Sequence, residues 1–213
     1  MIFEYDLLDN DQLYYVNKLF GHLEFVDGTR SNPLMGVRGE KKCLTSYTGG
    51  INTQLQDYIS PIIDSKIGRD LCLTDASQIL YSKFSRGSYY KWHIDSIPIL
   101  GLIPHYSMSC VLNDDFDGGE LEMMVGNVKH SFKLSPGKAI IYPTEYLHQV
   151  TEVTKGVRNV FCLWLRSAIS DEFSRKQYIN IVKTIEAVTN GEDRELILRR
   201  LKMLRNSVMQ QET

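Results

Sequence analysis

The segment His93-Ile94-Asp95 sets an imidazole and a carboxylate two residues apart. In an extended strand, where side chains alternate, both project from one face and can reach a single metal ion. A third donor of fitting type, His148, follows the apolar run Ala139 to Tyr142, and Arg158 lies ten residues beyond it. Two histidines and one carboxylate are the facial set that suits non-heme Fe(II), because they leave coordination positions open for a chelating cosubstrate and O₂. A structural zinc site would instead close its shell with four protein ligands, and no fourth donor of suitable spacing accompanies these three.

Strand alternation puts Arg158 on the same face as Val160, Cys162 and Trp164. A guanidinium on a largely apolar face is costly unless an anion meets it, and its planar fork suits a carboxylate. Two partners stay open: an Asp or Glu of the chain itself, or the distal carboxylate of 2-oxoglutarate, the anion an open Fe(II) triad needs nearby. The other candidates are less specific. Tyr89, Tyr90 and Trp92 could stack on a substrate or cap a barrel. Ser96 to Pro104 is an apolar loop that reads as a buried connector or as a lid over the metal. Asp117-Gly-Gly-Glu120 reads as a hairpin turn. His22, His105 and His130 read as surface or structural, with His105 near enough in sequence to support the ligands.

Elements that must position these groups follow from the apolar periodicity. The 213 residues, 43% hydrophobic and 23% charged, suffice for one domain with a core, or one domain and a small appendage. With 24 Lys+Arg against 26 Asp+Glu the net charge is −2, so no basic field exists to hold a phosphate backbone and nucleic acid is not an expected partner. Cys43, Cys72, Cys110 and Cys162 are scattered without a C-x-x-C pair, which predicts reduced thiols in a cytoplasmic protein. The N-terminus carries acids where a signal peptide carries basic residues, and no run of 18 apolar residues occurs, so no membrane association is expected. Phe3 and Tyr5 suggest a short strand, Asp9 to Phe20 a helix ended by Gly21, Gly28 to Gly50 a glycine-rich loop, and Gln54 to Ile67 a further helix. From Gln78 to Leu165 the period becomes two, broken by turn signals at 85–88, 117–119, 126–127, 135–137 and 155–156, which predicts antiparallel strands in a double-sheet jelly roll. After Ser170 two amphipathic helices follow, one with Tyr178, Ile181, Val182, Ile185 and Val188 on its apolar face, the next with Ile197, Leu201, Leu204 and Val208, separated by Asn190-Gly191. The predicted class is α+β: a jelly-roll unit over 1–170 with N-terminal helical support, and a helical pair over 171–213 packed on the barrel or on a second subunit as a homodimer.

The ordered set Gly87 to Asp95, Ser107 to Asn113, Asp117 to Leu121, Pro136-Gly137, Tyr142-Pro143, Leu147 to Arg158 and Trp164 resembles the 2-oxoglutarate and Fe(II)-dependent dioxygenases of the prolyl 4-hydroxylase type, and is most similar to the PKHD-type hydroxylases. The resemblance covers 78–167 and extends more loosely into both helical ends. It implies that His93, Asp95 and His148 bind iron, that Arg158 holds the far carboxylate of 2-oxoglutarate, and that Tyr90 lines the pocket. One departure stands out: the family's tyrosine nine residues before the first ligand is Phe84 here. Tyr81, Ser109 and Trp164 are then candidates for further contacts to the cosubstrate, beside Ser107 and Tyr106, and Tyr81 qualifies only if a bulge turns it inward. The resemblance also implies O₂ as oxidant, succinate and CO₂ as co-products, ascorbate as a candidate reductant, and hydroxylation of an unactivated C–H in a peptide, protein or amino acid such as proline. Two alternatives are a cupin-like protein that senses metal and 2-oxoglutarate without turnover, and a hydroxylase of a nucleobase that uses Arg38, Lys41 and Lys42 as a phosphate patch. Substrate choice is expected to reside in the Gly28 to Gly50 region and the 96–104 loop.

Overall fold

The computed structural model describes residues 1–95, 97–99, 101–190 and 194–210. In chain order the elements are β1 (Phe3–Asp6), α1 (Asn10–Phe20), β2 (Val26–Asp27), α2 (Pro33–Val37), β3 (Lys41–Lys42), β4 (Leu44–Ser46), α3 (Gly50–Ile63), β5 (Leu73–Ala76), β6 (Leu80–Ser85), β7 (Tyr89–His93), β8 (Tyr106–Val111), β9 (Phe116–Gly118), β10 (Leu121–Val125), β11 (Val128–Phe132), β12 (Lys138–Pro143), β13 (His148–Val150), β14 (Val153–Ser167), α4 (Glu172–Ala187) and α5 (Arg194–Gln210). The strands form two antiparallel sheets, as the period-two reading predicts. The larger runs β1-β12-β8-β14-β6-β4-β2, with β5 and β9 also pairing along β14, and the smaller runs β11-β10-β13-β7-β3.

Alternation gives the larger sheet two different faces. Tyr81, Met108, Cys110, Ala139, Ile141, Phe161, Leu163 and Leu165 point to the helices and join Val16, Phe20, Leu55 and Ile59 in one apolar core. The intervening residues Phe84, Val111, Ile140, Tyr142 and Val160 point to the smaller sheet and meet Leu121, Met123 and Val150 in a second core. Each large side chain fully buried in this way contributes about 1.5–3 kcal/mol. Asp9 starts α1 with a capping box, its carboxylate accepting from the Gln12 backbone N–H at 2.8 Å. Tyr178, Ile179 and Val182 of α4 lie in the helix-side core, and α4 packs against α5. Ile197 and Leu204 of α5 are exposed, while Gly191 and the Val208 side chain lie outside the described residues.

Three expectations need correction. The segment 28–50 is not a plain loop: it holds α2, adds β3 to the edge of the smaller sheet and β4 to the larger one. Strands of two and three residues are too short to show a period. Lys155-Gly156 does not separate strands but lies inside the 15-residue β14, where the register against β9 shifts. Asp117 to Glu120 is not a hairpin turn either, because β9 pairs with β14 while β10 enters the other sheet. Among the described residues no helix is long and apolar enough to cross a membrane.

Candidate active site

The sheets meet over a cavity of about 500 Å³ whose wall includes His93, Asp95, His148, Arg158, Ser109 and Trp164. His93 ends β7 and His148 begins β13, directly opposite in the ladder, with ring centroids 4.2 Å apart. Their Nδ1 atoms lie 2.7 Å from the Lys91 carbonyl and 2.8 Å from the Tyr146 carbonyl. A carbonyl can only accept, so each Nδ1 carries a proton, and in the neutral ring Nε2 is the nitrogen with the free lone pair. Both Nε2 atoms face one oxygen, Asp95 Oδ1, at 3.8 and 3.9 Å. The other oxygen, Oδ2, accepts from Ser107 Oγ at 2.9 Å and from Trp164 Nε1 at 2.8 Å. Each candidate ligand is thus aimed by a partner of its own.

The three donor atoms lie within 4.8 Å of one another. Two imidazole nitrogens and one carboxylate oxygen with a face left open are a donor set that fits Fe(II). Burial, followed by the proximity of His148, pushes the His93 pKa down to about 4, so at neutral pH the ring is in the unprotonated form a metal requires. Tyr90 stacks on His93 at 3.6 Å between centroids and receives a hydrogen bond from Asn32 Nδ2 at 2.8 Å.

Arg158 is 3% exposed, and among the described residues no carboxylate lies within ion-pairing distance of it. Burial lowers its pKa to about 10, so it stays charged at neutral pH. Its guanidinium carbon sits 5.5 Å from the centre of the Phe84 ring. The internal salt bridge left open by the sequence is therefore absent among the described residues, and the cation faces a cavity that can admit an anion. Close packing fixes its stem: at Gly119, where φ is +69°, a Cβ would come within 3.1 Å of Arg158 Cδ.

Other candidates divide by face. Tyr81 does not reach the cavity. The β6–β14 register runs without a bulge from Leu80 to Ser85, so Tyr81 turns to the helix side, where it packs 6.1 Å from Phe161 with its hydroxyl unpaired. Tyr106 belongs to that core as well. Ser109 is buried on the cavity wall, whereas Ser107 and Trp164 serve the Asp95 carboxylate. His105 is a structural acceptor for the Ser167 N–H at 3.2 Å, and His22 and His130 are exposed. Within the 96–104 loop Pro98 and Ile99 line the cavity, Leu102 is buried, and Ile97 and Ile103 are exposed; Ser96 and Leu100 lie outside the described residues.

Two lining residues escaped the sequence reading. Tyr142 lies on the same face of β12 as Ile140, lines the cavity opposite Ser107 in the ladder, and interacts with the Arg158 charge. It supplies a phenol in the cavity where Phe84 lacks one, and alternation along β12 with Ile140 is the signal that marks it. Lys41 is buried against the Tyr90 ring, its Nζ 4.4 Å from the centroid, so it cannot join Arg38 and Lys42 in a surface patch for phosphates. Nothing in the local pattern marks it, because β3 is only two residues long.

Residues 79–166 match the model of the 2OG-Fe(II) oxygenase superfamily. A PKHD-type hydroxylase of Nitrobacter winogradskyi is 27% identical, with 97% of this chain and 96% of that protein covered. A second, from Herminiimonas arsenicoxydans, is 33% identical over 84% of each chain. Among solved structures, a prolyl hydroxylase from Trichoplax adhaerens in complex with a hypoxia inducible factor oxygen degradation domain peptide fragment superposes with a TM-score of 0.57 at 16% identity, covering 80% of this chain and 87% of that one. The helix-flanked jelly roll is thus shared, and the cupin-like alternative without turnover gives way to an oxidoreductase. Iron, cosubstrate and reaction come with the family: this chain belongs to the PKHD-type hydroxylases of the 2OG-Fe(II) oxygenase superfamily, which hydroxylate with Fe(II), 2-oxoglutarate and O₂.

Proposed function

We propose that His93, Asp95 and His148 hold the iron, that Arg158 receives the distal carboxylate of 2-oxoglutarate with Tyr142 and Ser109 beside it, and that the carbon hydroxylated belongs to a prolyl or other amino-acid unit. The carrying observation is the convergence of two Nε2 atoms on Asp95 Oδ1 in the same cavity as a buried guanidinium that, among the described residues, has no carboxylate within ion-pairing distance. When bound, the metal with 2-oxoglutarate and O₂ supplies the oxidation, which yields succinate, CO₂ and a hydroxylated substrate. The protein supplies position. The Lys91 and Tyr146 carbonyls keep both imidazoles in one tautomer, and Ser107 and Trp164 hold Asp95 so that only Oδ1 faces the metal position. Phe84, Val160 and Leu121 keep water from the cosubstrate pocket. No side chain is required as a general base.

Support for a peptide or amino-acid substrate comes from the prolyl hydroxylase likeness and from the peptide in that neighbour. The four free thiols favour a reducing, cytoplasmic setting. We read 1–170 as the catalytic unit and 171–213 as its appendage, with exposed Met203 and Leu204 on α5 favouring a homodimer. The deciding experiment measures succinate from 2-oxoglutarate with Fe(II), ascorbate and air, without added substrate, for wild type and His93→Ala. Slow succinate production that depends on His93 is the expected result, with the variant down at least about 10³-fold and still folded. Equal production by the variant would remove His93 from the metal, and loss of folding would make the site structural.

A further inference from the structure

Lys41 is the second buried cation of the cavity, and the reaction above gives it nothing to hold. It is 7% exposed, and among the described residues no carboxylate lies within ion-pairing distance. Among the described residues its one hydrogen bond runs from Nζ to Ser31 Oγ at 2.6 Å, and Ser31 spends its own proton on the Gly28 carbonyl at 2.9 Å. An ammonium carries three donors, so among the described residues two are left without a partner, in a place where an uncompensated charge is unfavourable. The side chain lies over Tyr90, the ring that stacks on His93, which puts its charge one aromatic ring from the metal ligands.

The position separates Lys41 from the cosubstrate. Arg158 projects from β14 in the larger sheet, whereas Lys41 sits on β3 at the edge of the smaller one, beside the cavity residues Ser31 and Asn32 and the exposed Arg30 and Leu34. One carboxylate of 2-oxoglutarate goes to the metal and the other to Arg158, so neither is left for Lys41. Formal charge points the same way. With Fe(II), Asp95 and the 2-oxoglutarate dianion in place, the two cations leave the cavity one positive charge in excess, which a monocarboxylate cancels and a phosphate dianion overshoots.

We propose that Lys41, steadied by Ser31, binds a carboxylate of the primary substrate, so that the molecule hydroxylated is an acid: a free amino acid, or the residue at the carboxyl end of a peptide. This rests on the metal and cosubstrate assignment above. The test uses protein loaded with Mn(II), which does not turn over, and 2-oxoglutarate. Propionate, propionamide and acetyl-triglycine are added in turn, and the paramagnetic broadening of their proton resonances is followed. Propionate should be broadened at least about tenfold more than propionamide, a preference lost in Lys41→Met and kept in Lys41→Arg, while Lys41→Met binds 2-oxoglutarate within about twofold of wild type. Broadening of acetyl-triglycine that also depends on Lys41 extends the assignment to peptide carboxyl ends; its exclusion confines the assignment to small free acids. Equal broadening of acid and amide, no broadening of either, or a preference that survives in Lys41→Met through direct contact with the metal would overturn the proposal. A tenfold loss of 2-oxoglutarate affinity in Lys41→Met would overturn it too, by moving the lysine to the cosubstrate. Mn(II) and 2-oxoglutarate binding are measured first on the same samples, so their failure would sink the underlying assignment and not this inference alone.

Discussion

The two faces of the larger sheet are built by the same strands and differ in nearly every property. On the helix side, residues such as Tyr81, Met108 and Phe161 are fully buried in a sealed apolar core. One residue along, Ser107, Ser109, Arg158 and Trp164 face a cavity and carry donors and charge. Period-two alternation lets one strand serve stability and chemistry at once. It also means that a single step along the chain decides which role a side chain has.

Substitutions on alternate residues should therefore separate the two faces. Phe161→Ala, on the sealed face, is expected to cost about 3–5 kcal/mol of stability and to leave the 2-oxoglutarate affinity of the remaining folded protein unchanged, as denaturant titration and calorimetry would read. Lost cosubstrate binding at full occupancy of the folded state would mean that the faces are coupled. Arg158→Met, on the open face, should do the reverse. The 2-oxoglutarate concentration needed should rise about 100-fold, or about 2.7 kcal/mol, with metal affinity and thermal midpoint nearly constant; an unchanged requirement would move the distal carboxylate elsewhere. The two tyrosines give a finer contrast. Tyr142→Phe should weaken 2-oxoglutarate binding about five- to tenfold, about one hydrogen bond, whereas Tyr81→Phe should leave it unaltered and be neutral or slightly stabilising, because its hydroxyl is buried without a partner.

The smallest effect concerns His105, which belongs to neither face. Burial and then the nearby Arg175 and Arg166 hold its pKa down to about 4, against about 6.5 in an unfolded chain. Between those values the unfolded chain binds the proton and the folded one does not, so stability rises with pH through that window and falls as pH drops from about 6.5 to 4. His105→Gln should flatten part of this loss in thermal midpoints measured from pH 7 to pH 4.5. A variant that tracks wild type throughout would show that the ring titrates normally.

How much of this was legible follows from element length. The candidate metal set and Arg158 lie on or beside strands of the period-two region, so spacing could place them on common faces, while their roles came from the family resemblance. Phe84 and Tyr81 show the same rule at its limit: three residues apart, they cannot share a face unless a bulge intervenes, and β6 has none. Tyr142 follows the same rule, sharing the cavity face of β12 with Ile140. Lys41 was not readable, because a two-residue strand has no period and its burial depends on pairing with Tyr90 in a distant strand. The 28–50 region looked like loop for that reason, although it completes both sheets.

The Asp95 carboxylate has a mechanical side. Both histidines belong to the smaller sheet, but Asp95 is tied by Ser107 and Trp164 to β8 and β14 of the larger one. The candidate metal set therefore spans both sheets, and an ion held by all three side chains would link one sheet to the other. Amide exchange at Trp164 and at the end of β7 should slow together when metal binds, while the β6–β14 ladder around Phe84 and Arg158, which lies within one sheet, keeps its rate.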